Sequence, residues 1–397
     1  MLSNQVVPKR VRVVIVGGGP AGLLLARKLT RDGMDCVILE RRSRPYVLSR
    51  IRAGVLEQGS VDQLREAGVS QRLHEEGLVH GGCLLSDENG HFRIDFAELV
   101  GKSVTVYGQT EVTRDLYEAL DSDGVPIVHE AGNVRLHGID TANPSVTFDR
   151  GRLNYSIACN FIAGCDGFHG VSRESIPAGA RKQFEKSYPF GWLGVLSESP
   201  PVNDELIYSR SGRGFALASM RNPLLSRYYI QVPNSENADD WSADRFWTEL
   251  RRRLPDSIAE CLETGKVVEK SIAPIRTFVS EPMSFGRLFL CGDASHIVPP
   301  TGAKGLNLAF SDVHYLHDAL IEEYRSGDGR KLKCYSESAL ARVWKSMRFS
   351  LWMTNLLHRI PDASEFERRI QDTEFTHIRD TVNGRALLAE NYTGLPY

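Results

Sequence analysis

The stretch that most constrains this chain runs from Val11 to Arg42, VRVVIVGGGPAGLLLARKLTRDGMDCVILERR. The β-branched, apolar residues Val11, Val13, Val14, Ile15 and Val16 predict a buried parallel strand. The strand breaks into Gly17, Gly19 and Gly22 in the spacing G-x-G-x-x-G. Gly17 permits the tight turn, Gly19 lets a pyrophosphate meet the backbone, and Gly22 lets the next helix lie close to the sheet. Pro20 suits the first helical turn, and Leu23, Leu24, Leu25 and Leu29 give the helix an apolar face. A second strand, Cys36 to Leu39, ends at Glu40, where a carboxylate can bond ribose hydroxyls. The pattern predicts dinucleotide binding without choosing among NAD, NADP and FAD.

With 397 residues, the chain is long enough for two or three domains. A net charge of −2 gives no electrostatic case for nucleic acid or an acidic membrane surface. Seven cysteines without a C-x-x-C argue against a metal or disulfide framework and fit a reducing cytoplasm. No metal is expected. The opening residues MLSNQVVPKR lack an apolar signal core, and no apolar run is long enough to span a bilayer.

After Glu40 comes a basic loop with Arg41, Arg42, Arg44, Arg50 and Arg52, either a solvated face or a phosphate-binding one. A helix is predicted over Gly54 to Ala67, another from Thr110, and strands at Pro126–Val128 and Ser145–Phe148. Phe161 to His169 reads as a strand opening onto Asp166-Gly167, a turn that can also line a cofactor crevice. Around Pro189 the texture changes to short alternating runs, Gly191–Ser197, Glu205–Ser209, Gly214–Ser219 and Ser226–Val232, which predict an antiparallel sheet inserted in the first domain. Arg221, Arg227, Tyr228 and Tyr229 concentrate anion-binding and phenolic groups there. Leu288 to Cys291 returns to a buried strand, then Gly292-Asp293 and a helix from about Lys304 whose N-terminus can stabilise negative charge on a cofactor ring. Phe349, Trp352, Met353, Leu356 and Leu357 form a late helical stripe that fits a core or a subunit interface equally.

Gly17–Glu40, Cys165–His169 and Gly292–Asn307 together resemble the FAD-dependent aromatic hydroxylases. RIRAGVLEQG (Arg50–Gly59), TVYGQTEVTRDL (Thr105–Leu116), AGCDGFHG (Ala163–Gly170), YPFGWLG (Tyr188–Gly194), HIVPPTGAKGLN (His296–Asn307) and ENYTGLP (Glu390–Pro396) narrow the likeness to members that act on 4-hydroxybenzoate. The resemblance implies an α/β fold: a Rossmann-like FAD-binding domain, an inserted antiparallel-sheet substrate domain and a helical C-terminal part. The corresponding division is residues 1–182, 183–270 and 271–397.

It further implies 3-hydroxylation of 4-hydroxybenzoate to 3,4-dihydroxybenzoate with bound FAD, O2 and NADPH or NADH, through a flavin C4a-hydroperoxide. A related hydroxylase of another hydroxybenzoate, such as 3-hydroxy- or 3,4-dihydroxybenzoate, is the alternative. FAD would be held at Gly17, Gly19, Gly22, Glu40, Arg52, Gln109, Asp293, Leu306 and Asn307. The nicotinamide coenzyme would meet Arg41, Tyr46, Arg50, His169 and Arg276. Ser219, Arg221 and Tyr229 would hold the substrate carboxylate. The phenol would meet Tyr208, which bonds Tyr392 and, through water, His80, with the Pro300 carbonyl as a further acceptor. Arg227 resembles a residue that supports flavin movement. A cytoplasmic homodimer is implied.

Overall fold

Val13–Val16 form the central strand of a six-stranded sheet, all four side chains at 3% exposure or less. Its order is Ser284–Phe285, Leu288–Leu290, Phe161–Gly164, Val13–Val16, Cys36–Glu40, Ile127–His129; the last five strands run parallel. Buried on both faces, such strands need continuous apolar sequence, which these have. The helix Pro20–Arg31 lies on one face, packed against helices Gln109–Ser122 and Gly305–Ser326. The computed structural model describes residues 7–50 and 54–397, so Arg52 lies outside the described residues.

The second large sheet has eight strands: His296–Ile297, Lys266–Glu281, Lys182–Glu198, Leu225–Pro233, Ala216–Asn222, Ile207–Ser209, Gly82–Asp87 and Gly90–Asp95. Two long strands, Lys182–Glu198 and Lys266–Glu281, pair antiparallel and connect this sheet to the nucleotide-binding part. The hairpin Gly82–Asp95 joins it from the first part of the chain, its Gly82–Asp87 strand pairing parallel to Ile207–Ser209.

Strand alternation gives this sheet two unlike faces. Leu193, Val195, Ile207, Ala216, Ala218, Tyr228 and Ile230 pack under helix Ala243–Arg251. On the other face, register pairs Tyr208 with Leu217 and Leu217 with Tyr229, so Tyr208, Ser219 and Tyr229 share one side; Arg221 sits at a break in register between Met220 and Asn222, beside Tyr229. Helix Arg330–Leu357 and the pair Glu365–Asp380 and Val382–Thr393 close over that side.

Some predicted elements differ. Residues 54–67 are not one helix: Val55–Leu56 form a strand and the helix is Gln58–Glu66, because Gly54 lies flat against Tyr107, whose carbonyl would be 1.8 Å from an added Cβ. Phe349, Met353, Leu356 and Leu357 are at most 2% exposed, so the late stripe is core, with only Trp352 at its margin.

Candidate active site

The glycine turn is built as its spacing requires. Gly17 has φ +109°, and a Cβ there would lie 2.2 Å from the Cys165 carbonyl oxygen. A Cβ on Gly22 would lie 2.1 Å from the Gly17 carbonyl oxygen, whereas nothing lies within 4 Å of one on Gly19. The surface above Gly19 is therefore open for a ligand, while Gly17 and Gly22 are closed by backbone. The first intrahelical bond runs from the Leu23 amide to the Gly19 carbonyl, leaving the amides of Gly19, Ala21 and Gly22 directed at that opening. Glu40 accepts the Gly18 and Arg42 amides, each at 2.7 Å, which fixes its carboxylate at the strand end with lone pairs to spare.

A second helix start belongs to the helix packed beside Pro20–Arg31. Helix Gly305–Ser326 makes its first intrahelical bond from the Leu308 amide to the Lys304 carbonyl, so the amides of Gly305, Leu306 and Asn307 lack intrahelical partners. The Asn307 side chain is fully committed, donating to Val55 and Ala303 carbonyls and accepting from the Glu57 amide and the Ser60 hydroxyl. Any contact of Asn307 with a cofactor therefore falls to its backbone. Gln109 opens the helix Gln109–Ser122, and Asp293 lies exposed in the turn Gly292–Ala294.

Two groups of cations flank this region. Arg42 and Arg50 sit over the ring of the exposed Tyr46 at 4.9 and 5.9 Å, and Arg41 is exposed beside them. Arg276 lies 4.0 Å from the Phe168 ring centroid, with exposed His169 on its edge. Arg173, which sequence reasoning missed, stacks between Phe168 and Phe278. Asp166 lies half-buried and accepts the Ser172 amide and hydroxyl; desolvation raises its pKa.

In the large sheet the hydroxyls of Tyr208 and Tyr392 are 2.6 Å apart, both residues 1% exposed. Burial raises both phenols well above their ordinary value, so both stay neutral. The His80 ring is buried, and neither nitrogen has a hydrogen-bond partner among the described residues. Burial lowers its pKa against the opposing pull of Glu205 and Asp204. The direct chain thus stops at Tyr392.

Arg221 is a cation without a counter-ion. Its Nε is buried and unpartnered, and no carboxylate pairs with it among the described residues. Burial presses its pKa down while the neighbouring Tyr229 phenol opposes this. Ser219 donates to the Arg227 carbonyl at 3.2 Å, which leaves its oxygen free to accept only. Arg227 itself pairs with Glu269 at 3.1 Å and covers the Tyr229 ring. The Pro300 carbonyl accepts the Ala303 amide at 2.9 Å and keeps one lone pair; Ala303 packs against the apolar cluster that holds Tyr208, Leu217 and Tyr392.

A family profile described as FAD binding domain matches residues 10–350. The p-hydroxybenzoate hydroxylase of Acinetobacter baylyi is 55% identical over 389 residues, covering 98% of this chain and 96% of that one. The chain belongs to the FAD-dependent aromatic monooxygenases. The para-nitrophenol 4-monooxygenase of a Pseudomonas species is 25% identical, with 80% of each chain covered. Among solved structures, p-nitrophenol 4-monooxygenase PnpA from Pseudomonas putida DLL-E4 shares the fold with a TM-score of 0.81 at 19% identity, covering 98% of this chain and 100% of that one.

FAD is the cofactor of this monooxygenase, and the open surface over Gly19 and the free amides at both helix starts fit it. No helix among the described residues is long and apolar enough to cross a membrane.

The aromatic wall behind the phenol pair was not legible in sequence. His358 accepts the Trp192 indole N–H at 2.6 Å and sits against the Thr354 carbonyl at 2.9 Å, stacked on Phe215 at 4.3 Å. Trp192 in turn touches Tyr229, and Phe215 touches Tyr208. Burial lowers the His358 pKa from 6.5 to about 3, so the folded protein holds it neutral while the unfolded chain protonates it. Stability contributed by the neutral ring is full above pH 6.5 and is lost as pH falls toward about 3. His358→Gln keeps a neutral acceptor for Trp192 and should make the loss of stability between about pH 6.5 and 4 shallower, by up to about 3 kcal/mol. Melting temperatures across that range check this; parallel curves for both proteins would remove His358 as the source.

Proposed function

We propose that this monooxygenase hydroxylates 4-hydroxybenzoate at the 3-position, giving 3,4-dihydroxybenzoate at the expense of O2 and NADPH or NADH. One observation carries the substrate assignment. Arg221, half-buried with no carboxylate partner among the described residues, lies beside Tyr229 on the sheet that also carries Tyr208, whose hydroxyl meets that of Tyr392, one end suited to a carboxylate and the other to a phenol.

The residues divide the work by chemistry. The Arg221 guanidinium forks onto the carboxylate, with Tyr229 as a neutral donor beside it. The Ser219 hydroxyl turns from the Arg227 carbonyl to donate to the same group. Desolvating a carboxylate costs several kcal/mol unless it is paired, and these three replace the lost water.

At the other end Tyr208 accepts the hydrogen of the substrate phenol and donates to Tyr392. Since neither tyrosine ionises, the proton passes by simultaneous hops along hydroxyls that each donate one and accept one bond. His80 receives it by way of water, and since burial lowers its pKa it passes the proton on rather than holding it. The ring is thereby made electron-rich at the carbon beside the oxygen, and the Pro300 carbonyl serves as a further acceptor for the phenol. FAD, when bound, accepts hydride equivalents from the nicotinamide and activates O2 for transfer of one oxygen atom.

We place FAD along Gly17, Gly19, Gly22, Glu40, Arg52, Gln109 and Asp293, with the amides of Leu306 and Asn307 at its ring. The coenzyme falls to Arg41, Tyr46, Arg50, His169 and Arg276; the arginines around Tyr46 favour NADPH through its extra phosphate. The domain division at residues 183 and 271 and a cytoplasmic homodimer complete the proposal. The exposed apolar residues Phe366, Ile370, Val382 and Leu387 on the last two helices, rather than the buried Phe349–Leu357 stripe, are its candidate contact.

The test is coenzyme oxidation under air, with and without 4-hydroxybenzoate, with 3,4-dihydroxybenzoate quantified. Product equal to coenzyme consumed supports the assignment. Stimulated oxidation without product would instead favour another hydroxybenzoate as substrate.

A further inference from the structure

Four backbone carbonyls at the end of the last helix, those of Tyr392, Gly394, Leu395 and Pro396, each accept a hydrogen bond from a cationic side chain. Lys304 Nζ reaches Tyr392 at 2.9 Å and Lys102 Nζ reaches Gly394 at 3.0 Å. Arg342 Nη1 takes both Leu395, at 2.5 Å, and Pro396, at 2.9 Å. Glu57 lies between two of these cations, 2.5 Å from Lys304 and 3.2 Å from Arg342. Gly394 has φ +103°, and a Cβ there would lie 2.3 Å from Glu57 Oε2, so the strap admits only glycine at its bend. Beyond it Tyr397 stacks on His314 at 4.4 Å, lies under Arg342 at 4.7 Å and accepts from Gln63.

Cations suit the carbonyl end of a helix, but burying Lys304, Arg342 and Glu57 together costs desolvation that a well-packed apolar strap would avoid. What the arrangement supplies instead is position. Helix Val382–Thr393 carries Tyr392 in its last turn, with its ring stacked on Phe96 at 5.1 Å and its hydroxyl 2.6 Å from Tyr208. A frayed last turn would move that hydroxyl by more than a hydrogen bond tolerates.

We infer that Arg342 is a positioning residue for hydroxylation: by clamping the 394–397 strap it holds the Tyr392 hydroxyl against Tyr208. This rests on the proposed phenol relay. Arg342 touches neither tyrosine's hydroxyl; it acts through the strap.

The test compares Arg342→Gln and Arg342→Lys with the wild type as FAD-loaded holoenzymes. Arginine holds both carbonyls with Nη1 and Glu57 with Nη2, whereas lysine offers one nitrogen on a shorter stem and cannot reach the strap and Glu57 together. Both variants should load FAD and reduce it at the wild-type rate. Both should show product per coenzyme lowered about tenfold and a phenol pKa of bound 4-hydroxybenzoate, read by absorbance, raised by about one unit. Hydrogen exchange of the Leu388–Thr393 amides, measured without substrate, should quicken. Unchanged coupling and phenol titration in Arg342→Lys overturn the inference, as does faster exchange with coupling intact, which makes the strap purely structural. If the wild type yields no 3,4-dihydroxybenzoate, the substrate assignment fails; unchanged exchange in both variants then overturns the clamp, and faster exchange upholds it.

Discussion

Arg221→Met should raise the KM for 4-hydroxybenzoate by about 10²–10³-fold, since losing one partner of a buried charge pair costs about 3–4 kcal/mol. The sign of its effect on stability is the more telling result. Arg221 is desolvated with no carboxylate beside it among the described residues, so without substrate it is a cost to folding. Methionine removes that cost at similar volume, and the melting temperature without substrate should hold or rise while substrate no longer raises it. Arg221→Lys keeps the charge and loses the fork, so its KM should fall between the two. A large fall in melting temperature for Arg221→Met with near-normal KM would make the residue a structural strut.

Tyr208→Phe should lower the hydroxylation rate by about 10²–10⁴-fold, the range for removing a proton-transfer group, while flavin reduction stays near normal. Coenzyme would then be consumed with hydrogen peroxide as the main product, measured as oxygen returned on adding catalase. The partner variant Tyr392→Phe should share the defect in lesser degree, because Tyr208 keeps its contact with the phenol and loses only the next step. The Tyr208 pocket is fully enclosed, so water cannot take the hydroxyl's place without room being made for it. Rising pH should rescue coupling in both variants, since the bound phenol then loses its proton with less help from the relay. Wild-type coupling in Tyr208→Phe would sink the relay.

The nucleotide-binding half was legible because its signals are local. Gly17 needs a positive φ, Gly22 abuts the Gly17 carbonyl, and Glu40 ends a strand, all within one strand-turn-helix unit. Short-range rules suffice where the contacts are short-range in sequence. The sheet strands from Gly191 to Val232 were legible for the same reason, through alternation and turn residues, though Lys182–Glu198 proved longer than its alternating part. Residues 54–67 misled because their helical periodicity ignores the Tyr107 backbone that flattens Gly54.

The site itself mixes both sources. Resemblance named Tyr208, Arg221 and Tyr392, but the spacing between positions 208 and 392 carries no physical signal. Their 2.6 Å contact arises only when the last helices fold over the second sheet. His358, Arg173, Glu57 and Arg342 left no mark in the sequence, for each is one polar residue in an ordinary helix or loop. Burial made them informative, and burial is a property of the packed chain.

By itself, then, the sequence determined that this protein has a dinucleotide turn, a parallel sheet behind it and an alternating sheet inserted after it. Backbone sterics at glycine and the period of apolar residues decide these locally. Only the tertiary structure decided which charges are left unpaired. Arg227 has a carboxylate partner and Arg221 has none among the described residues, though they lie six residues apart, because Glu269, two strands away across Lys182–Glu198, reaches one and not the other.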